Sequence, residues 1–516
     1  QMCIRDRING AHHMSSLALR GLDKSSNVML EAMDRLSSGK RINRSADDAA
    51  GMAITTVHKA QTMGLGGAVK HASDAIIVVN SIDGSLSSAN DLLLKMRELA
   101  VQGSSGIHTK EERKFMNDEI NQINMALNSL ASNTVFNNKK LLDGTYNAKI
   151  TIGKDAQEFV NLSVNPMDTS SIGSYEINSS VEITSLKNDH NSAKNNLSAQ
   201  FNSNADYDVK GANGTATITM NGGENAREVT QKFNLVTGKT GVSASVSTKA
   251  KIVSIDASDH FTFTLEGKNS NASVVNATID DNKNLTTLKD SINSVSTNTG
   301  IVAELTNNNS SIILTQVEGY NIVIGDLTSS SSSMVIDAMK KGNSGIFEDN
   351  NSTISLVGDS NSNDSAAILG QITLSSSKAF SVTSGHTDNH FNASTSAVSS
   401  NFISLSEINL SSEQSSSNAM VRIDSALAMI SEMRSEMGAK SVRFQSIVNN
   451  LTNVEINTDR HVDFLEDAEF TTEASKLARS QVIQQASTAM IAQANNVNNF
   501  MMLSLIHISE PTRRYS

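Results

Sequence analysis

Residues 72–103 read ASDAIIVVNSIDGSLSSANDLLLKMRELAVQG, and their apolar positions decide the fold. Apolar side chains recur at alternating spacings of four and three, at Ala75, Val79, Ile82, Leu86, Ala89, Leu93, Met96 and Ala100. A heptad pattern of this kind places all of them on one stripe of a long α-helix. The stripe must be buried against a partner helix.

A break and a second helix follow this stretch. Gly103 to Gly106 is expected to end the first helix, and Thr109 with Glu112 forms the sequence of a capping box, which predicts the start of the next. The second helix continues the apolar stripe at Met116, Ile120, Ile123, Leu127 and Leu130.

A short hairpin is predicted after the second helix. Residues 137–145 have the composition of a loop. Two β-rich runs, at 149–152 and 159–164, flank Gly153 and are predicted to pair as strands.

The C-terminal part mirrors the N-terminal part. One long stripe contains Met420, Ile423, Leu427, Ile430, Met437, Phe444, Val448 and Leu451. A last helix is predicted to start near Thr471 or Thr472, with a stripe at Ala474, Leu477, Ala478, Val482, Ala486 and Ala489. Long stripes occur only at the two ends of the chain, so we expect the termini to pack together as a helical bundle. Periodicity alone is equally compatible with an ordinary bundle that has no role in assembly.

The middle of the chain is rich in Ser, Asn, Thr, Asp and Gly and contains a weak repeat with an offset of 59 residues. Each copy is read as a strand, a short helix, a Thr-Gly turn (Thr240-Gly241 and Thr299-Gly300) and further strands. We therefore predict repeated α+β modules near 215–257 and 274–316. The fold class is multidomain: a coiled-coil or bundle core from both termini with a small β-hairpin, and inserted α+β or β-rich outer domains.

Composition excludes several functional classes. The chain of 516 residues has a net charge of -11, which argues against nucleic acid and anionic membranes as main partners. No apolar run is long enough for membrane insertion. The first residues lack a charged start followed by an apolar stretch, so no cleaved signal peptide is expected. The single cysteine, Cys3, cannot pair within the chain.

No pattern in the sequence predicts catalysis, a cofactor or a metal. His386 and His390 have the spacing of a zinc pair on a helix, but Thr387 stands where a zinc peptidase has Glu, and Gly385 favours a loop. We expect no enzyme activity, no cofactor and no metal site.

Two sets of motifs at opposite ends resemble bacterial flagellins. Near the N-terminus these are RLSSGKRIN at 35–43, ADDAAGMAI at 46–54 and RELAVQ at 97–102. Near the C-terminus they are LARSQVIQQ at 477–485 and AQAN at 492–495. The resemblance covers about residues 8–165 and 415–503, and the repeat modules are similar to those inserted in many flagellins.

The resemblance implies a domain plan. Residues 8–45 and 466–505 would be terminal filament-core helices, and 46–174 with 405–465 a helical rod domain that carries the hairpin. Residues 175–404 would be variable, surface-exposed outer domains. The tips, 1–7 and 506–516, do not fit the family and are expected to be non-native.

The resemblance also implies a function and partners. The family member would be a structural subunit that polymerises into the flagellar filament for swimming, located outside the cell. Its partners would be further copies of itself, the flagellar export apparatus with its secretion chaperone, and the filament cap and junction proteins. An innate immune receptor, Toll-like receptor five, would be a further partner.

The resemblance assigns two groups of residues. Asp47, Asp48, Ala49, Ala50 and Gly51 form a candidate packing signature. Lys95, Arg97, Leu99 and Glu119 match receptor or subunit contacts in the family. Leu99 lies between the stripe positions Met96 and Ala100, so its side chain is expected to be partly exposed.

Three alternatives remain at this point. One is a hook–filament junction protein of the same superfamily, although such proteins typically carry Pro soon after the paired Asp. The others are a flagellin with an enzyme in its insertion and an unrelated adhesin with a coiled-coil stalk.

Overall fold

The structure is a computed structural model that describes residues 2–154, 157–180, 183–187, 206–221, 224–306, 308–330, 332–342, 347–358, 363–384, 391 and 397–508. His386 and His390 lie outside these residues. The chain forms two compact units. The terminal unit comprises Gln1–Ile77, Ala148–Leu162 and Lys440–Ser516, and the central unit comprises Val78–Asn147 and Ser163–Ala439.

Long helices form both ends of the chain. They are α1 (Met2–Ser38), α2 (Ala49–Gly103), α3 (Lys110–Asn133), α8 (Glu413–Glu466) and α9 (Phe470–Ile508). Short helices in the middle are α4 (Ala226–Leu235), α5 (Thr237–Thr240), α6 (Thr286–Ser294) and α7 (Ser296–Thr299), and a 3-10 turn spans Leu405–Glu407. The predicted start of the last helix and the break at Gly103 are both confirmed.

The α2 stripe is the buried seam that the heptads predict. Ala75, Val79, Ile82, Leu86, Ala89, Leu93, Met96 and Ala100 are all at most 1% exposed. The capping box also forms: the Thr109 hydroxyl accepts a hydrogen bond from the Glu112 backbone, and the Glu112 side chain accepts one from the Thr109 backbone. These local signals determine where the helices of the bundle begin and end.

The last helix, α9, buries a different face from the one predicted. Its packing positions follow a strict heptad at Glu473, Leu477, Ser480, Gln484, Ser487, Ile491 and Ala494, all buried or half-buried. The predicted stripe is exposed except at Leu477. Its steps from Ala478 through Val482 to Ala486 are both four residues long, so it drifts around the helix. Polar contacts to α1 set the face instead, since the Ser25 hydroxyl donates to the Ser480 carbonyl at 2.7 Å.

Two small hairpins accompany the helices. Strands β3 (Asn147–Thr151) and β4 (Phe159–Ser163) form the predicted hairpin. Strands β1 (Val135–Phe136) and β2 (Lys139–Lys140) pair antiparallel, so residues 137–145 are not all loop. Asn137 and Asn138 at the turn both have positive φ, which Asn tolerates and a two-residue hairpin turn requires.

The β-rich middle lies in the central unit. In chain order its strands are β5 (Gly173–Asn178), β6 (Ile183–Lys187), β7 (Asp206–Lys210), β8 (Thr215–Thr219), β9 (Ser243–Ile255), β10 (Asp259–Glu266), β11 (Ser273–Ile279), β12 (Ile301–Leu305), β13 (Ile312–Gln316), β14 (Ile322–Thr328), β15 (Ser333–Lys341), β16 (Phe347–Asp349), β17 (Ile354–Val357), β18 (Asn363–Ile368), β19 (Gln371–Ser376), β20 (Ser381–Ser384), β21 (Val398–Ser399) and β22 (Asn401–Ser404). Within the described residues they form sheets ordered β11-β10-β14-β18-β6, β12-β13-β9-β19-β5-β22 and β21-β20-β7-β8, with β15 joining β9 to β16 and β17.

The two repeats adopt the same geometry. Gly241 and Gly300 both end a short helix with positive φ (74° and 68°), a conformation that Gly adopts without strain. Just before the first turn, the Asn234 side-chain amide donates to the Ala244 carbonyl at 2.9 Å and accepts from the Ala244 backbone at 2.8 Å. Asn293 makes the same two bonds to Ala303 at the same distances. The two copies of the predicted repeat therefore share this local geometry.

The modules are nested, however, and not contiguous. In the second module β12 pairs with β13 and β10 with β14, all within 259–328. In the first module the corresponding partners of β9 and β7 are β19 and β20, which lie after the whole second module in the chain. The first module therefore combines 206–250 with 371–384, a long-range pairing that the 59-residue offset could not reveal.

A buried ionic cluster joins the β-rich region to α8. Glu176 on β5 lies 3.1 Å from Arg422 Nε on α8 and 3.3 Å from Lys341 Nζ on β15, and all three side chains are at most 4% exposed. Burial raises the pKa of the Glu176 carboxyl, but the charges of Lys341 and Arg422 outweigh burial and hold that pKa below its ordinary value. Burial lowers the pKa of Lys341.

Candidate functional site

The turn between α1 and α2 contains the candidate packing signature. Asp48 caps α2, since its carboxylate accepts a hydrogen bond from the Gly51 backbone at 2.8 Å. Asp47 accepts from the Asn43 and Arg44 backbones at 3.0 and 2.8 Å, and these bonds hold the pKa of its carboxyl below the ordinary value. Ala49 and Ala50 are exposed. The signature thus shapes the turn and starts the helix.

Gly51 is buried at this turn, where a larger side chain has no room. A Cβ atom at Gly51 would overlap the Asp48 carboxylate and lie 2.8 Å from the Ile42 Cδ1 atom. We expect Gly51→Ala to lower the free energy of unfolding by about 1–3 kcal/mol, because it overpacks the turn. Gly67, also in α2, has nothing within 4 Å of a built Cβ, so Gly67→Ala should instead stabilise by about 0.5–1 kcal/mol. Denaturant unfolding of both variants, followed by circular dichroism, checks this contrast; equal effects of one sign would contradict it.

The segment after α1 pairs with the segment between α8 and α9. Lys40 and Asp467 form an isolated antiparallel bridge. The Arg41 backbone donates to the Glu466 carbonyl at 2.6 Å, and Lys40 and Lys59 both contact the Glu466 carboxylate. These contacts form a junction that links the segment before α2 to the segment before α9.

Acid is expected to loosen this junction. Burial raises the pKa values of the Glu466 and Glu473 carboxyls, but hydrogen bonds from Lys59 and Lys40, and from Lys476, outweigh burial and hold both below the ordinary 4.5. Groups with lowered pKa values contribute stability that is complete above the ordinary value and is lost as the pH falls through the lowered one.

Because both pKa values are lowered, the junction is expected to lose stability as the pH falls. Amide hydrogens in peptides from α1 and α9 should lose protection below pH 4.5 in the parent, when their exchange is compared with the intrinsic exchange rate at each pH. A double variant, Glu466→Gln with Glu473→Gln, should already exchange faster at neutral pH and respond less to acid. An unchanged pH response in the double variant would show that other groups control the junction.

The terminal unit exposes a large amount of apolar side chain. Met63 is 81% exposed, Phe464 82% and Val482 65%. Further exposed apolar residues on α1, α2, α8 and α9 are Leu17, Leu19, Leu30, Met33, Met52, Ile54, Val57, Val442, Val454, Ile456, Phe470, Ile483 and Met490. We call these sixteen residues the apolar face. Apolar side chains exposed in such number are typical of protein–protein contact.

The candidate receptor residues lie on α2 and α3. Lys95 pairs with Glu98 at 3.0 Å, and Arg97 pairs with Asp424 of α8 at 2.6 Å, while Glu119 is exposed. The expected exposure of Leu99 is wrong, since its side chain is 4% exposed. Positions three and four apart share one helix face, so Leu99 joins the buried stripe with Met96 and Ala100.

Within the described part of the chain, no group of three or more His, Cys, Asp or Glu side chains is placed to hold a metal ion. In the same residues, no helix combines the length and apolar character needed to cross a membrane. The apolar face is the main candidate site among the described residues, because exposed apolar side chains in such number are typical of surfaces that contact other proteins.

Comparisons with known proteins identify the family. Residues 11–147 match the family described as the bacterial flagellin N-terminal helical region, and residues 420–506 match the bacterial flagellin C-terminal helical region. The chain is similar to the B-type flagellin of Pseudomonas aeruginosa, 27% identical over 93% of this chain and 95% of the relative. It is also similar to the flagellin of Clostridium tyrobutyricum, 40% identical over 29% of this chain and 39% of the relative.

A solved structure of FliC from Burkholderia pseudomallei is similar at 14% identity with a TM-score of 0.28, covering 72% of this chain and 99% of that one. A structural similarity with so low a TM-score adds nothing to the family assignment. Both terminal regions match in the expected order, with flagellins as relatives over nearly the whole length. The two ends of the chain, residues 11–147 and 420–506, therefore match the helical regions of the bacterial flagellin family.

Proposed function

We propose that this chain is the structural subunit that polymerises into the bacterial flagellar filament for swimming. The apolar face of the terminal unit carries the proposal. In a single copy, α1 and α9 pack through a narrow seam containing Ser25, Ser480 and a buried Glu473, while larger apolar side chains point to solvent. Neighbouring copies would bury those side chains, and a head-to-tail contact that does not close generates a helical polymer.

The names of the curated relatives described above favour the filament subunit over the hook–filament junction protein. Flagellins are structural proteins, and this chain is assigned the same kind of role. Electron microscopy of purified protein after salt-induced polymerisation tests the proposal. Long filaments are expected, whereas particles that remain at the size of single subunits under all salt conditions would refute it.

The domain plan remains a proposal, now with adjusted limits. Strands β5 and β22 pair with each other, and Glu176 on β5 contacts Arg422 on α8. A domain boundary at 175 would therefore divide β5 and separate Glu176 from the rod domain. We propose that the outer part begins after β5 and ends before β22. A chain lacking residues 181–397 should still polymerise into thinner filaments, and loss of all helical structure would show that the outer part belongs to the core.

Secretion and assembly partners follow from the proposed role. The subunit would pass unfolded through the flagellar export apparatus with its secretion chaperone, without cleavage of a signal peptide, and add to the filament between the cap and junction proteins. Its location would be outside the cell. An intact-mass measurement on shed filaments checks the signal-peptide part of this proposal, because cleavage would remove a defined N-terminal mass.

Recognition by Toll-like receptor five is a second proposal, supported by the exposed charges of Lys95, Arg97 and Glu119. Lys95 lacks the planar fork of Arg, so Lys95→Arg should bind the receptor ectodomain about tenfold more tightly. Because Leu99 is buried, Leu99→Ala would disturb packing and is not a clean probe. Glu119→Ala is the better one, and unchanged affinity of both variants would remove the assignment from these positions.

A further inference from the structure

Two histidines meet where α2 packs against α8 in the terminal unit. The ring centroids of His58 and His461 are 5.1 Å apart, and the ring planes are 83° from parallel. His58 is half-buried and His461 is exposed. Further along, the two helices pack through Leu65, Ala68 and Leu451, so the pair sits on a fixed helix–helix contact.

A neighbouring amide orients the His58 ring. Its Nδ1 atom lies 3.3 Å from the Oε1 atom of Gln61, one turn along α2. In the tautomer in which Nδ1 donates to this amide oxygen, Nε2 keeps its lone pair. Metal-binding histidines typically donate their second ring N–H to an oxygen in this way, which fixes the tautomer and raises the basicity of the ligating nitrogen.

The separation of the rings suits a shared metal ion. Zinc–nitrogen bonds are about 2.0–2.1 Å long, and a ring nitrogen lies about 1.1 Å from the ring centre, so two imidazoles on a tetrahedral ion have centroids about 5.2 Å apart. The observed 5.1 Å agrees with that value.

We propose that His58 and His461 form a two-histidine site for a divalent transition-metal ion such as Zn²⁺, which would cross-link α2 to α8. The exposed side of His461 leaves room for water to complete the coordination. Only two protein ligands come together here, so the site is weaker than a structural zinc site with four. Its effect is to stabilise the folded terminal unit by mass action, because the unfolded chain does not hold the two rings together.

A titration of the full chain with Zn²⁺ tests the site by calorimetry and thermal unfolding. The parent should show one more zinc site than His58→Gln or His461→Gln, and a zinc-dependent rise in its unfolding temperature that both variants lose. The double variant should lose nothing more than either single one, because both residues serve one site.

Two further variants separate this site from other histidines. His71→Gln changes an exposed histidine on the same helix and should titrate like the parent. Gln61→Leu should keep the site but weaken its affinity about tenfold or more, since it removes the group that orients His58. If the parent and the His58 and His461 variants bind equal amounts of zinc, or if their unfolding temperatures respond alike, the pair is an ordinary ring contact and the proposal is wrong.

Discussion

Arg422→Ala is expected to lower the free energy of unfolding of the central unit by about 3–5 kcal/mol, because it removes one partner from a buried ionic cluster. Glu176 and Lys341 would keep each other, but the carboxylate would lose the 3.1 Å contact to the guanidinium in a place that water does not reach. Denaturant unfolding followed by circular dichroism measures the change.

Arg434→Ala is the matched control for that experiment. Arg434 also lies on α8 and pairs with Asp83 at 3.0 Å, but its side chain is 37% exposed and that of Asp83 is 43%. An exposed pair contributes about 0–1 kcal/mol, so this variant should unfold almost like the parent. If Arg422→Ala and Arg434→Ala lower the free energy of unfolding by the same amount, the buried cluster does not hold the β-rich region to α8.

Val482→Glu is expected to raise the protein concentration needed for polymerisation by about a hundredfold or more. Val482 is 65% exposed on α9 and belongs to the apolar face. A carboxylate there remains solvated in the single subunit but would be buried without a partner in a contact between copies, at a cost of about 3 kcal/mol or more. Light scattering during salt-induced polymerisation gives the critical concentration.

Val274→Glu makes the same chemical change outside the apolar face. Val274 lies on β11 and is 56% exposed, so its side chain is similarly open to solvent. This variant should polymerise like the parent, and both variants should keep the circular dichroism spectrum of the parent. Equal losses of polymerisation in the two variants would mean that added negative charge, and not the apolar face, is responsible.

The parts of the fold that the sequence predicts are those specified by local patterns. The α2 stripe, the Thr109–Glu112 capping box and the Thr-Gly turns at Gly241 and Gly300 each depend on residues within a few positions of one another. Hydrophobic periodicity and turn chemistry therefore suffice to place them.

The parts that were missed depend on residues far apart in the chain. The seam between α1 and α9 uses Ser25, Ser480 and the Arg35–Glu473 pair, and polar residues at packing positions give no hydrophobic signal. The α9 stripe that the sequence does show is exposed except at Leu477, and its residue Val482 belongs to the apolar face. An apolar pattern identifies a surface that will be buried, but not whether its partner is the same chain or another copy.

The candidate sites divide in the same way. Asp47, Asp48 and Gly51 lie within one turn, so a single sequence motif contains them, and their role as a packing signature stays a prediction. Glu176, Lys341 and Arg422 come from separate elements of the β-rich region and α8, and only the fold shows that they meet. The nested modules are missed for the same reason, since β19 and β20 return to the first module from the other side of the second.

The central claim is that the terminal helices are the surface through which copies of this chain polymerise. Electron microscopy of the chain lacking residues 470–505, beside the full chain under the same polymerising salt, tests it most directly. We predict long filaments from the full chain. The shortened chain should form none, although its central unit keeps the circular dichroism and unfolding midpoint that it has in the parent. Filaments of normal length from the shortened chain would contradict the claim.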